Sequence, residues 1–382
     1  MNNFDTIIDF GSKNLKLQIF DQSSKIIYTS QQQIIDNLEK SLNILIRDAE
    51  KKLATHIENV IVLYDSPKFY SLDLSIKKVF DHAISIKKIY NSLIDEAHFI
   101  ISQNNFKDQI IHLVINNILV DDNKTLHNIT DDIEIKSLVL EIKFICLNKI
   151  LIDNISSKFK KNNLKILNLY CASYVKTINY IKKYNIENYV IFIDIGFERS
   201  TGLIFNHRKL QFFKSIPLGG NSVTKDISNV LRLNYEYSEN LKKLVHKNEK
   251  EISFNNIMNK HNLYNEISKK NISINLLKQI IESRLDEIIE LAVFKSNYIK
   301  NLNYLEKPQL VLIGRGSRLL SNDYNLNIKK LVSEISNHDE IDSHVCKAGF
   351  DYHHSLESVL VKIKKKVKKS GFFETFFNLF SK

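Results

Sequence analysis

The sequence predicts an α/β protein of two related lobes, each built on a β-meander, with an amphipathic helix at its C-terminal end. Three observations carry this prediction: an internal repeat, the places where a scarce residue, glycine, falls, and the concentration of basic charge in the last 21 of the 382 residues.

The repeat comes first. IIDFGSKNLKLQIFD (7–21) and FIDIGFERSTGLIFN (192–206) align without a gap and are identical at Ile8/Ile193, Asp9/Asp194, Gly11/Gly196, Ile19/Ile204 and Phe20/Phe205. In each, an apolar strand ends in Asp-x-Gly, turns, and returns as a second strand. Each continues into a third strand-like run, KIIYT (25–29) and KLQFFKSI (209–216). A strand–turn–strand–turn–strand unit used twice implies two lobes with facing turns. Two Asp and two sets of backbone donors would then meet across a cleft, and carboxylates beside phosphate commonly hold Mg²⁺ through its waters. The plainer reading of Asp9 and Asp194 is a pair of turn-capping side chains.

There are nine glycines. Gly11, Gly196, Gly219/Gly220 and Gly314/Gly316 end or closely follow strand-like runs, namely TIIDF (6–10), YVIFIDI (189–195), LQFFKSIPL (210–218) and QLVLI (309–313). Glycine after a strand allows positive φ and close backbone approach to a ligand, and such turns can aim N–H groups at phosphate. A single turn of this kind is a weak signal; four in one chain point to a phosphate-binding cleft.

Composition narrows the class. Hydrophobic residues make up 43% and charged residues 25%, which excludes a disordered chain. No apolar run reaches the roughly 18 residues of a spanning helix, and MNNFDTIIDF lacks the basic flank of a secretory signal. Cys146, Cys171 and Cys346 have neither metal nor disulfide spacing, which fits a reducing cytoplasm. Net charge is +11, yet residues 362–382 hold seven Lys against one Glu, so the body of the chain carries little excess charge. Nucleic acid is therefore not an expected partner. His338, His344, Cys346, His353 and His354 lack the closed spacing of a metal site. The run 277–300 is patterned as a packing helix.

At this point the motifs resemble a family, the actin-like ATPases and, within them, the FtsA proteins of bacterial cell division. DFGSKNLKL (9–17) is similar to the first phosphate loop and DIGFERSTGLIF (194–205) to the second. SIPLGGNSVTKDI (215–227) resembles the FtsA pattern in which Ile-Pro-x-Gly-Gly precedes a helix start. SENLKKL (238–244) resembles the helix beside the ribose and adenine, and LVLIGRGSRLL (310–320) the adenosine motif. HLVINNILVDD (112–122) with IKSLVLEIKFICLNKILIDNI (135–155) resembles the extra subdomain of FtsA.

The resemblance implies an actin-like, ribonuclease H-like two-lobed fold and ATP with Mg²⁺ as cofactors. Asp9 and Asp194 would organise the metal through water. Gly11, Ser12, Lys13 and Gly196 would face the phosphates, with Gly219 and Gly220 shaping the turn that follows. Gly314, Gly316 and Ser317 would line the adenosine, with Glu239 and Lys242 on its far side. Glu282, Arg284 and Glu287 match a stretch near the cleft. Three departures stand out. Asn14 replaces the usual Lys, Phe197-Glu198-Arg199 fills a loop that is normally Gly- and Thr-rich, and Leu169-Tyr170 stands where the family often has an acid and Pro. A group to orient attacking water is missing there, so the expectation is nucleotide binding with weak or absent hydrolysis and no catalytic residue; loss of binding altogether is the alternative.

The tail reads KIKKKVKK (362–369), then SGFFETFFNLFSK. On a helix, Phe372, Phe373, Phe376, Phe377, Leu379 and Phe380 fall within an arc of about 160°. Lys364, Lys365 and Lys366 belong to the basic run ahead of it, where each Lys contributes roughly 1 kcal/mol near an anionic leaflet. The pattern predicts a helix lying in a membrane surface; docking on the protein's own core is the alternative.

The expected organisation is a first actin-like subdomain at 1–81 and 167–196, the inserted subdomain at 82–166, and a second actin-like subdomain at 197–228 and 300–345. A helical subdomain at 229–299, a C-terminal core segment at 346–361, a basic linker at 362–370 and the membrane helix at 371–382 complete it. The resemblance implies self-association into polymers, FtsZ and other division proteins as partners, inner-membrane lipids, and a peripheral position on the cytoplasmic face of the inner membrane at the division site. An FtsA-like type IV pilus assembly homologue and a sugar- or acetate-kinase-type phosphotransferase are the alternatives.

Overall fold

The computed structural model of the chain describes residues 4–34, 37–121, 124–126, 129, 132–247, 274–300, 307–320 and 326–355. β1 (Phe4–Phe10), β2 (Asn14–Asp21) and β3 (Ile26–Gln33) form an antiparallel meander. β4 (Asn59–Tyr64) and β9 (Lys165–Cys171) extend it in parallel beyond β1, in the order β3-β2-β1-β4-β9. The second sheet repeats the plan. β10 (Val190–Ile195), β11 (Ser200–Asn206) and β12 (Lys209–Ile216) form the meander, and β13 (Gln309–Ile313) and β14 (Glu334–His338) run parallel beyond β10, in the order β12-β11-β10-β13-β14. The duplication read from the sequence is thus a duplication of sheets.

Burial follows from position in these sheets. Leu15, Leu17 and Ile19 alternate with more exposed neighbours along β2, as a strand covered on one face requires. Every residue of β10 is buried, as expected of a strand with parallel and antiparallel neighbours and packed layers on both faces.

Helices close the layers. α1 (Leu38–Leu53) starts at Asn37, whose side chain accepts from Lys40 N, and buries Leu42, Leu45, Ile46 and Ala49 against the first sheet. α2 (Ile86–Asn104) covers the inserted sheet, and α3 (Lys149–Lys160) packs Ile155 and Phe159 with the α1 core. α4 (Ala172–Tyr184) links β9 to β10 and belongs to a core shared by both lobes, with Val175 and Ile178 beside Ile61 of β4 and Phe192 of β10. α5 (Gly220–Leu231), α6 (Tyr235–Lys247) and α7 (Ile274–Ile289) join a second core under β10 and β13, and α7 runs on into a π-helical turn at Glu290–Phe294. α8 (Val345–His353) returns to the first lobe, where Phe350 stacks on Phe20 at 4.7 Å.

Three boundaries differ from those expected. The inserted unit is an antiparallel sheet of β5 (Tyr70–Ser85), β6 (Asp108–Val120), β7 (Lys124–Leu126) and β8 (Glu134–Asn148), in the order β5-β8-β6-β7. It therefore begins at Tyr70 rather than at 82, because β5 and β8 pair continuously from Tyr70↔Cys146 to Val79↔Ser137. Residues 149–160 go back to the first lobe with α3. Likewise β10, expected with the first subdomain, is the central strand of the second, since it pairs with β11 and β13. The inserted sheet also touches the second lobe, where Asn116 Nδ2 donates to Leu210 O at 2.8 Å.

Candidate functional site

β1 and β10 are the strands at which each sheet changes direction, with the meander on one side and the parallel strands on the other. Ligands in open α/β sheets bind beyond the carboxyl ends of strands at such points. Here the two ends face each other across a cleft of about 490 Å³, within the ordinary range of ligand pockets. Asp9, Gly11, Ser12 and Lys13 of the first turn line it, as do Asp194 and Gly196 of the second, Gly220, Glu239 and Lys242 from α5 and α6, and Gly314 and Gly316 after β13. Gly219 and Ser317 stand behind that wall. A Cβ on Gly219 would lie 2.6 Å from Gly196 O, so this glycine lets the α5 turn pack onto the second loop. Ser317 is fully buried, and its Oγ lies 2.7 Å from both Gly314 O and Asn337 Oδ1, sharing one proton between them, which braces the Gly314 turn.

Gly314 carries the sharpest local constraint. Its φ is +81°, and a Cβ there would sit 2.3 Å from Asp194 Oδ1 and 2.7 Å from Ile195 O. The close approach follows from register: Asp194 pairs with Ile313, so the residue after β13 runs directly over the end of β10.

The centre of the cleft is a buried charge cluster. Asp194 Oδ2 accepts from Ser173 Oγ at 2.7 Å, pairs with Lys176 Nζ at 2.5 Å and lies 3.2 Å from Arg199 Nη1. Arg199 also pairs with Asp65, and Asp65 Oδ1 accepts from the backbone N of Ser173 at 3.0 Å and lies 3.0 Å from its Oγ. Burial pushes the Asp194 carboxyl up, but the adjacent Arg199 and Lys176 charges and their hydrogen bonds outweigh it and hold the group well below the usual carboxylate range. At the rim, Lys16 Nζ lies 3.3 Å from Asp9.

A second network sits on the α5–α6 side. Glu239 Oε2 accepts from Thr224 Oγ1 at 2.6 Å and from Lys242 Nζ at 2.5 Å, and Lys242 also donates to Gly220 O at 2.9 Å. Burial raises the Glu239 pKa, while the Lys242 and Thr224 hydrogen bonds lower it further, to about 2. Lys13 reaches across from the first lobe to Glu239 at 3.4 Å, and its ammonium stands 4.7 Å from the Phe197 ring centroid. Phe197 thus packs under two cations, Lys13 and Lys242, instead of leaving glycine-loop space.

Sequence reading missed three participants. Asp65 follows the strand NVIVLY, and its place after a buried strand was the available signal. Ser173 and Lys176 lie in ASYVKTINYI, where a lone Lys within an apolar helix invited the question of its partner. Arg199, in the loop where Gly and Thr were expected, pairs with the two buried aspartates, while Glu198 is exposed.

The implied Mg²⁺ does not fit this arrangement. Asp194 Oδ2 already faces two internal cations and a hydroxyl, and Oδ1 is buried against Gly314 without a hydrogen-bond partner. Two aspartates and two cations balance, which leaves no charge deficit for a metal to fill. Among the described residues no group of three His, Cys, Asp or Glu side chains is placed to hold a metal.

Other sequence candidates have structural partners. Arg284 is bound by Asp226 and Glu287 away from the cleft. His353 meets Tyr170 Oη at 3.0 Å, and His354 meets Asp5 at 2.8 Å. Lys364, Lys365, Lys366, Phe372, Phe373, Phe376, Phe377, Leu379 and Phe380 lie outside the described residues. Among the described residues no helix is long and apolar enough to cross a membrane.

Comparison with known proteins agrees with this architecture. Residues 191–359 match the family model "Cell division protein FtsA". Cell division protein FtsA of Bacillus subtilis (strain 168) is 32% identical over 120 residues, which is 31% of this chain and 26% of that protein; the match spans about a quarter of the length of this curated relative. Among solved structures, the PilM–PilN type IV pilus biogenesis complex is similar with a TM-score of 0.57 and 11% identity, over 94% of this chain and 98% of that one. MreB5 of Spiroplasma citri bound to ADP aligns over 95% of this chain and 98% of its own, at 10% identity and a TM-score of 0.44. Duplicated five-stranded sheets thus meet at a glycine-edged cleft in an actin-like fold, and the part of the chain that holds the second sheet, residues 191–359, is similar to the cell division protein FtsA family.

Proposed function

We propose that this chain binds ATP in the cleft between its two sheets, with weak or no hydrolysis, self-associates as an actin-like protein, and links the FtsZ ring to the inner membrane through its C-terminal segment. One observation carries the reading: the carboxyl ends of the duplicated strands β1 and β10 converge on a cleft whose lining has eight cationic side chains against four carboxylates. That excess suits a polyphosphate, and the glycine turns leave room for it.

Weak hydrolysis follows from the side chains at the centre. Asp65, Asp194, Lys176 and Arg199 are committed to one another, so none is available as a base toward water. The membrane role rests on the sequence of residues 362–382, a basic run followed by an amphipathic Phe pattern. Co-pelleting tests the whole reading. The intact protein should carry FtsZ onto anionic liposomes, and a chain lacking 371–382 should keep its fold and lose lipid binding. Unchanged lipid affinity after the deletion rules out the tether.

A second reading, an assembly protein of type IV pili that binds a short peptide of a membrane protein, is favoured by the likeness of nearly the whole chain to the PilM–PilN complex. Failure of the intact chain to recruit FtsZ would move the assignment there.

A further inference from the structure

At the cleft centre Asp194 already has the counter-charge that a metal would give it. Lys176 reaches Asp194 from α4, the helix shared by both lobes, and Arg199 reaches it from the loop of the second meander. Each cation is nearly closed to solvent, 3% and 13% exposed, and each is fixed by a carboxylate. A hydrated divalent ion approaching Asp194 would meet these two charges first, and displacing them would separate Lys176 and Arg199 from a fully buried carboxylate. That exchange is unfavourable because breaking a buried ion pair is strongly destabilising.

The rest of the lining points the same way. Lys13, Lys242, Lys243 and Arg315 surround the space in front of the cluster. The lining as a whole holds eight cationic side chains against four carboxylates. A metal-complexed nucleotide has part of its charge already neutralised; the cleft matches one that does not.

We propose that this cleft binds its nucleotide as the uncomplexed polyphosphate, with the Lys176–Arg199 pair standing in for the divalent metal. The inference rests on the ATP-binding reading above. It makes binding weaker in Mg²⁺ buffer, where the metal competes for the polyphosphate, and sensitive to ionic strength, since attraction to a charge excess is screened by salt.

Calorimetry with ATP, and a fluorescent ATP analogue as competitor, in Mg²⁺ buffer and in EDTA tests it. Tighter apparent affinity in EDTA than in Mg²⁺ buffer supports the proposal, and equal or weaker affinity in EDTA overturns it while leaving ATP binding itself standing. Absence of binding in both buffers overturns the proposal together with the ATP reading, a pattern distinct from metal dependence. In Arg199→Ala, Asp194 loses one of its cations, and the preference for metal-free ATP should reverse, with Mg²⁺ now tightening binding by about tenfold; a folded variant that keeps the wild-type preference overturns the role given to Arg199. The EDTA comparison needs only the wild-type chain, so it decides the question whether or not the variant folds.

Discussion

Lys176 Nζ lies 2.5 Å from Asp194 Oδ2, with the lysine side chain 3% and the aspartate 0% exposed. The pair joins α4, at the junction of the lobes, to the end of β10, so the electrostatics of the cleft and the packing of the two halves share one contact.

Lys176→Met should therefore destabilise the fold by about 3 kcal/mol, because it strips a cation from a buried carboxylate. Adding Asp194→Asn should recover part of the loss, since the uncompensated charge is then gone. Urea denaturation of the two single variants and the double variant gives the coupling, and a cost below about 1 kcal/mol for Lys176→Met would contradict the picture.

Gly314→Ala should cost at least about 2 kcal/mol, because its φ/ψ region is nearly exclusive to glycine. The added methyl would also meet Asp194 Oδ1. A melting temperature equal to that of the wild type would show that the turn over β10 is not strained by a side chain.

His112 ties the inserted sheet to the first lobe. Its Nδ1 is 2.9 Å from Tyr352 Oη, its Nε2 accepts from Cys171 N at 2.9 Å, and burial lowers its pKa to about 3. Between that value and the ordinary value near 6.5 the unfolded chain binds the extra proton. Stability should thus be full above pH about 6.5 and fall as pH drops toward 3, by at most about 1.4 kcal/mol per pH unit. Comparing denaturation midpoints of wild type and His112→Gln across this window checks it: the variant should lack this part of the slope.

Lys13→Ala separates stability from binding. Its contact with Glu239 at 3.4 Å is partly exposed, so its loss should change stability by less than about 1 kcal/mol. Under the proposed function it should weaken ATP binding by about tenfold through the lost cross-cleft charge. Unaltered ATP affinity would place the polyphosphate elsewhere.

Glu239→Gln probes the α5–α6 side. With its pKa held near 2, the carboxylate contributes stability that is present above its ordinary value and lost as pH falls through about 2. The neutral variant should leave Lys242 with weaker partners and lower stability at neutral pH by about 1–3 kcal/mol, measured by thermal unfolding.

The repeat, the strand-ending glycines and the Ile-Pro-Leu-Gly-Gly turn were legible in the amino-acid order because they are local. A strand followed by a turn leaves period-two burial and glycine at the place of close approach, and Asp9, Gly11, Asp194, Gly196, Gly314 and Gly316 were found on that basis. Domain edges at 82 and 196 were misplaced because strand partnership is not local: β5 belongs with β8, 49 to 76 residues away, and β10 belongs with β13, over 100 residues away. The central cluster was hidden for the same reason. Asp65, Ser173, Lys176, Asp194 and Arg199 come from four elements, and only folding brings their charges together. Sequence alone thus determined that two related turns frame a cleft, while the tertiary structure decided which charges fill its centre, because ion pairing in a buried site depends on distance in space and not along the chain.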